Sequence, residues 1–105
     1  MKAKILVVED QKIIALEITQ RLEEMGYEVA GTAATGKAAI QLAADLAPDL
    51  VLMDVHLEGS MDGIEAASQI KNNPSTCNIP IFALTAMDED FQYSKYGFAH
   101  LSMKS

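Results

Sequence analysis

Two short apolar runs, each stopped by carboxylates, constrain the fold of this chain more than any other feature. Ile5-Leu6-Val7-Val8 runs directly into Glu9 and Asp10, and Leu50-Val51-Leu52-Met53 runs directly into Asp54. Unbroken apolar runs of this length, with no polar alternation, are the signature of strands buried on both faces. Such strands belong to parallel sheets, which need helices on both sides.

The intervening segments supply those helices. Ile14, Ile18, Leu22 and Met25 recur at helical spacing with Glu17, Arg21 and Glu24 between them, and Gly26 follows as a stop. Tyr27 to Ala30 reads as a second strand. Ala38, Ala39, Leu42, Ala43 and Leu46 line a second helix that ends before Pro48. A loop with Glu58, Gly59 and Ser60 leads to a third helix on Ile64, Ala67 and Ile70, with Asp62 as its N-cap and Asn72, Asn73 and Pro74 as its terminator. Ile79 to Leu84 is the fourth strand and ends at Thr85. Beyond it, Asp88 to Tyr96 reads as a short helix and Phe98 to Met103 as a short fifth strand, with no helix after it. The alternation predicts an α/β fold, a doubly wound parallel sheet, and 105 residues suit one domain spanning 1–105.

Charge and composition narrow the function. Fifteen acidic residues against eight basic ones give a formal charge of −7, which repels nucleic-acid phosphates and anionic lipid, so direct binding to nucleic acid or membrane is not expected. The first apolar run is too short for a signal peptide, no stretch approaches the length of a membrane span, and the lone Cys77 has no disulfide partner. A cytoplasmic location is expected.

In open parallel sheets the ligand site lies beyond the carboxyl ends of the strands. Here those ends carry Glu9 and Asp10, Asp54, and Thr85. Three carboxylates converging on one pocket oppose one another's ionisation unless a cation sits among them, and an all-oxygen donor set suits Mg2+. With their charge balanced, Asp54 is placed to attack a phosphoryl donor as a carboxylate nucleophile.

These strings, with Asp49-Leu50-Val51-Leu52-Met53-Asp54, Met61-Asp62-Gly63-Ile64-Glu65 and Leu84-Thr85-Ala86, resemble the receiver domain of two-component response regulators from Lys4 to about Ala86. The resemblance implies a flavodoxin-like architecture and a domain that is not itself an enzyme but accepts a phosphoryl group from a histidine kinase or phosphotransfer protein. It implies Asp54 as phosphoacceptor. Glu9, Asp10, Asp54 and the backbone carbonyl of His56 would hold Mg2+. Thr85 would be the switching hydroxyl and Ala86 the small residue that keeps the pocket open. His56 and Met87 fall at positions that tune dephosphorylation.

The end of the chain departs from that pattern. Phe98-Ala99-His100-Leu101-Ser102-Met103-Lys104-Ser105 has no proline after its lysine and no final helix. Either Lys104 or Met103 occupies the lysine position, and strand register decides which, because neighbouring strand residues face opposite ways. His100 and Tyr96 are both candidates for the aromatic residue that moves with Thr85. A sheet flank without its last helix would be bare, and pairing with a second copy to give a homodimer is one expectation.

Three rival readings follow from the residues themselves. Gly31-Thr32-Ala33-Ala34-Thr35-Gly36-Lys37 satisfies most of a phosphate-binding loop between a strand and a helix, but Ala38 stands where the magnesium-binding hydroxyl is required. His56 could be read as a metal ligand or a phosphohistidine, yet no second His or Cys lies near it in sequence. The alternative to phosphoacceptance is a phosphorylation-independent interaction module of the same fold, which would have no use for clustered carboxylates.

Overall fold

The computed structural model describes residues 2–54, 63–84 and 98–101. Eight elements follow one another: β1 (Lys4–Val8), α1 (Lys12–Glu24), β2 (Glu28–Ala33), α2 (Gly36–Leu46), β3 (Leu50–Met53), α3 (Gly63–Asn72), β4 (Ile81–Leu84) and β5 (Phe98–Leu101). All strands pair in parallel in the order β2-β1-β3-β4-β5. The chain therefore steps one way from β1 to β2 and the other way from β2 through β3 to β4. With right-handed crossovers this places α1 on one face and α2 and α3 on the other. The expected doubly wound, flavodoxin-like sheet is what forms, and its order reverses between β1 and β3.

The side-chain period of two distributes the apolar runs between the faces. Ile5, Val7 and Leu52 pack against Ile18 and Leu22 of α1. Leu6, Val8, Val51, Met53, Ile81 and Ala83 pack on the other face against Ala39 and Ala43 of α2 and Ala66, Ala67 and Ile70 of α3. Alanines at the helix contacts let α2 and α3 approach the sheet closely, and all four are fully buried. Each fully buried Leu, Ile or Val contributes about 1.5–3 kcal/mol relative to exposure, which makes the two central strands the energetic heart of the domain.

Local chemistry sets the helix ends. Gly26, at φ 94°, closes α1: its amide donates to the Glu23 carbonyl and the Tyr27 amide donates to Leu22, the paired bonds of a Schellman stop. Thr35 caps α2 by accepting from the Ala38 amide at 3.1 Å. Ala47 ends α2 in the left-handed region at φ 45°. At the far end of the sheet the Asp49 carboxylate accepts from the Lys4 amide at 2.7 Å, and the Asp49 amide donates back to the Lys4 carbonyl at 2.8 Å.

Several expected boundaries shift. Met25 is the C-cap of α1 and is 60% exposed, so it does not join the buried stripe. Strand β2 runs on to Ala33, because β1 offers it a ladder as far as Val8 and the Glu9 amide extends the pairing by donating to the Ala33 carbonyl. Gly31 to Ala33 is thus strand and not phosphate-binding loop. Strand β4 starts at Ile81 and not Ile79, since the Ile79 amide donates to Thr76 and its carbonyl accepts from Lys71 Nζ at 2.6 Å. Phe98–Leu101 pairs with β4 as the fifth strand. The expected helix over 88–96 and the Asp62 cap lie outside the described residues.

Candidate functional site

The site is built by the ends of β1 and β3. Val8 lies opposite Met53 in the parallel register, so the next residues on each strand, Glu9 and Asp54, emerge side by side. Their backbones are pinned: the Asp54 amide donates to the Val8 carbonyl and the Glu9 amide to the Ala33 carbonyl, both at 2.9 Å. Asp10 follows, and α1 begins two residues later at Lys12. One carboxylate oxygen each of Glu9, Asp10 and Asp54 lies within 4.8 Å of the other two.

Burial sharpens the electrostatics. Glu9 is 3% exposed and Asp54 5% exposed, while Asp10 is half-buried. Carboxylates this close, in surroundings of lowered dielectric, repel more strongly than they would in water. Three hard oxygen donors converging from two strand ends have the chemistry and spacing that suit an oxygen-loving divalent ion such as Mg2+. Two features add positive potential: the N-terminus of α1, whose cap Gln11 makes no side-chain cap bond, and Lys12 in its first turn.

A cleft of about 450 Å³ opens beside Glu9, lined by Lys12, Ala15, Leu16 and Thr19 of α1 and by Thr32 and Ala33 at the end of β2, with Ala34 following. The sequence alone marks none of the residues contributed by α1 and β2 as part of the site. Lys12, Leu16 and Thr19 share one side of α1 by their i, i+4, i+7 spacing, but nothing in the sequence sets that side apart as the wall of a cleft.

The structure therefore brings Glu9, Asp10 and Asp54 together. His56, Thr85, Ala86, Met87, Tyr96, Met103 and Lys104 lie outside the described residues. His100 lies on β5, next to the Ala83 rung of β4 in register. Cys77 is half-buried in the turn after α3, with its sulfur 3.6 Å from the Pro74 carbonyl, remote in sequence from the cluster.

Sheet order and acidic cluster together define a doubly wound domain with its polar site at the switch point, and comparison with known proteins gives that class its family. Residues 5–100 match the response regulator receiver domain. The chain is 40% identical over 86 residues to the transcriptional regulatory protein PdtaR of Mycobacterium tuberculosis, covering 82% of this chain and 40% of that protein. It is 41% identical over 91 residues to the response regulator protein VraR of Staphylococcus aureus, covering 86% and 42%. Among solved structures, the receiver domain of the sensor histidine kinase PA1611 from Pseudomonas aeruginosa, which has a magnesium ion coordinated in its active-site cleft, superposes with a TM-score of 0.84 at 29% identity, covering 98% of this chain and 86% of that one. This chain belongs to the response regulator receiver domain family. It spans about two-fifths of the length of the curated relatives it matches. Among the described residues no helix is long and apolar enough to cross a membrane.

Proposed function

We propose that this domain accepts a phosphoryl group on Asp54 from a histidine kinase or phosphotransfer protein in the cytoplasm, with Mg2+ held by Glu9, Asp10 and Asp54. The observation that carries the reading is the convergence of those three carboxylates within 4.8 Å at the switch point of the sheet. When bound, Mg2+ supplies neutralisation of the negative charge that otherwise separates a carboxylate from a phosphoryl group.

The remaining chemistry belongs to the chain. An Asp54 carboxylate oxygen attacks phosphorus in line; the new O–P bond forms as the N–P bond of a phosphohistidine donor breaks, and the departing imidazole nitrogen keeps the electron pair and takes up a proton from water. The Asp54 amide, tied to Val8, fixes the backbone from which the nucleophile projects. Burial of Asp54 limits water at the reacting oxygen and so favours transfer over random hydrolysis. By family resemblance Thr85 and a C-terminal lysine contact the transferred group, and His56 and Met87 govern its lifetime.

A protein donor docks on the α1 side of the site, where the cleft beside Glu9 opens. Leu16, 58% exposed, lines that cleft, and Ile13, 75% exposed, stands one turn before it on the same helix. Exposed aliphatic side chains beside a polar site fit a protein donor better than a small-molecule one.

The test is incubation with acetyl phosphate and Mg2+ followed by intact-mass measurement. A gain of one phosphoryl group in the wild type and none in Asp54→Asn is expected. No gain in the wild type would leave the interaction-module reading in its place.

A further inference from the structure

Strand β2 contains an irregularity that the sheet itself does not need. Lys4 lies opposite Glu28 and Ile5 opposite Val29, but Leu6 lies opposite Gly31, which leaves Ala30 as an extra residue on the edge strand. The side chains record the same event. In an unbroken strand Val29 and Ala33 would share a face; instead Val29 packs with the α1 cluster and Ala33 is buried in the α2–α3 cluster. Excising Ala30 would preserve every pair and put every remaining side chain on the face it already occupies. Neither core packing nor register therefore requires the bulge.

Its place in the fold gives it another use. A bulge bends its strand and adds local twist, and on an edge strand no further neighbour resists the bend. The half-strand so redirected, Gly31 to Ala33, ends in the carbonyl that accepts the Glu9 amide at 2.9 Å, and its Thr32 and Ala33 line the cleft together with Glu9. We propose that the Ala30 bulge is a positioning device for the acidic cluster: it aims the Gly31–Ala33 half-strand, and through the Ala33 carbonyl it sets where the Glu9 carboxylate stands relative to Asp10 and Asp54. Ala30 is a positioning residue that touches neither metal nor phosphoryl group. The inference rests on the reading of Glu9, Asp10 and Asp54 as a Mg2+ site.

Excision of Ala30 tests it, with Mg2+ affinity measured by titration calorimetry and stability by thermal melting in EDTA. A positioning role gives a protein whose Mg2+-free melting temperature is unchanged or higher and whose Mg2+ affinity falls about tenfold or more, as when an outer-shell support of a metal ligand is lost. Wild-type Mg2+ affinity in the excised protein overturns the inference, and self-association with that affinity intact would assign the bulge to protection of the sheet edge instead. A second measurement needs no variant. In the wild type, Mg2+ should slow amide hydrogen exchange at Glu9, Thr32 and Ala33 and leave Glu28 and Val29 unchanged, with the boundary at Ala30; equal change on both sides, or none on either, overturns the inference. A wild type that binds no Mg2+ defeats the phosphoacceptor reading itself, whereas normal wild-type binding with an unaffected variant defeats the bulge inference alone.

Discussion

The Asp54 amide donates to the Val8 carbonyl at 2.9 Å, one rung beyond the last regular pair of β1 and β3. The proposed nucleophile is therefore anchored by the strand that also carries Glu9 and Asp10, and any motion separating the two strand ends must break a buried ladder first. That rigidity suits a reaction that depends on positioning more than on covalent assistance from the protein.

Replacing Asp54 by Asn removes one of three crowded carboxylates while keeping its shape. The variant should lose the phosphoryl mass gain completely. In Mg2+-free buffer it should unfold at higher urea than the wild type, by on the order of 1 kcal/mol, the scale of one unit of differential protonation free energy. Equilibrium denaturation with and without EDTA-treated buffer reads both the sign and the size.

Mg2+ should stabilise the wild type by mass action, by about 2.7 kcal/mol when its concentration is a hundred times the dissociation constant. Asp10→Asn, at the least buried of the three carboxylates, should retain the fold and lose most of that increment. Thermal melts across a Mg2+ series check this, with Ca2+ and Na+ as comparison ions.

Leu16→Glu places a charge on the cleft lined by Leu16 and Glu9 while leaving the three carboxylates themselves unaltered. Transfer from a cognate phosphohistidine protein should slow about tenfold or more, the scale of a single interface contact worth roughly 1.4 kcal/mol. Phosphorylation by acetyl phosphate should stay within a factor of about two to three. Equal slowing with both donors would mean that the leucine supports the site and not the donor.

Ala47 holds a left-handed conformation at φ 45° where α2 stops ahead of Pro48. That region costs a side-chain-bearing residue about 1 kcal/mol and glycine nearly nothing. Ala47→Gly should therefore raise stability by about 0.5–1 kcal/mol with Mg2+ affinity unaltered, as chemical denaturation and a Mg2+ titration would report.

How much of this could be read from the chain differs between elements for physical reasons. Strands β1 and β3 announce themselves because burial on both faces forces an unbroken apolar run, and the carboxylates that end them mark the site directly. Strand β2 is legible only as far as Ala30, since Gly31 and Ala33 have little strand propensity and are held extended by the neighbouring ladder. The same context dependence hides the Ala30 bulge: a register slip is a relation between two strands, and neither strand alone encodes it. Ile79 carries a strand's side chain but commits its amide to Thr76 and its carbonyl to Lys71, so hydrogen bonding overrides propensity there. The cleft wall of Lys12, Leu16 and Thr19 is not legible for a simpler reason, because helical residues outside the buried stripe have no signature until a partner strand defines the gap they border.

The bonds joining Lys4 to Asp49 bridge 45 positions of sequence, and the carboxylates stand at the opposite end of the same two strands. No local segment can pre-form the pocket: the chain must first close that long loop and seat β3 beside β1, with an entropic cost that only the finished core offsets. Competence for phosphate thus arrives together with the native state, and a half-folded copy emerging from the ribosome would be silent to any donor it met.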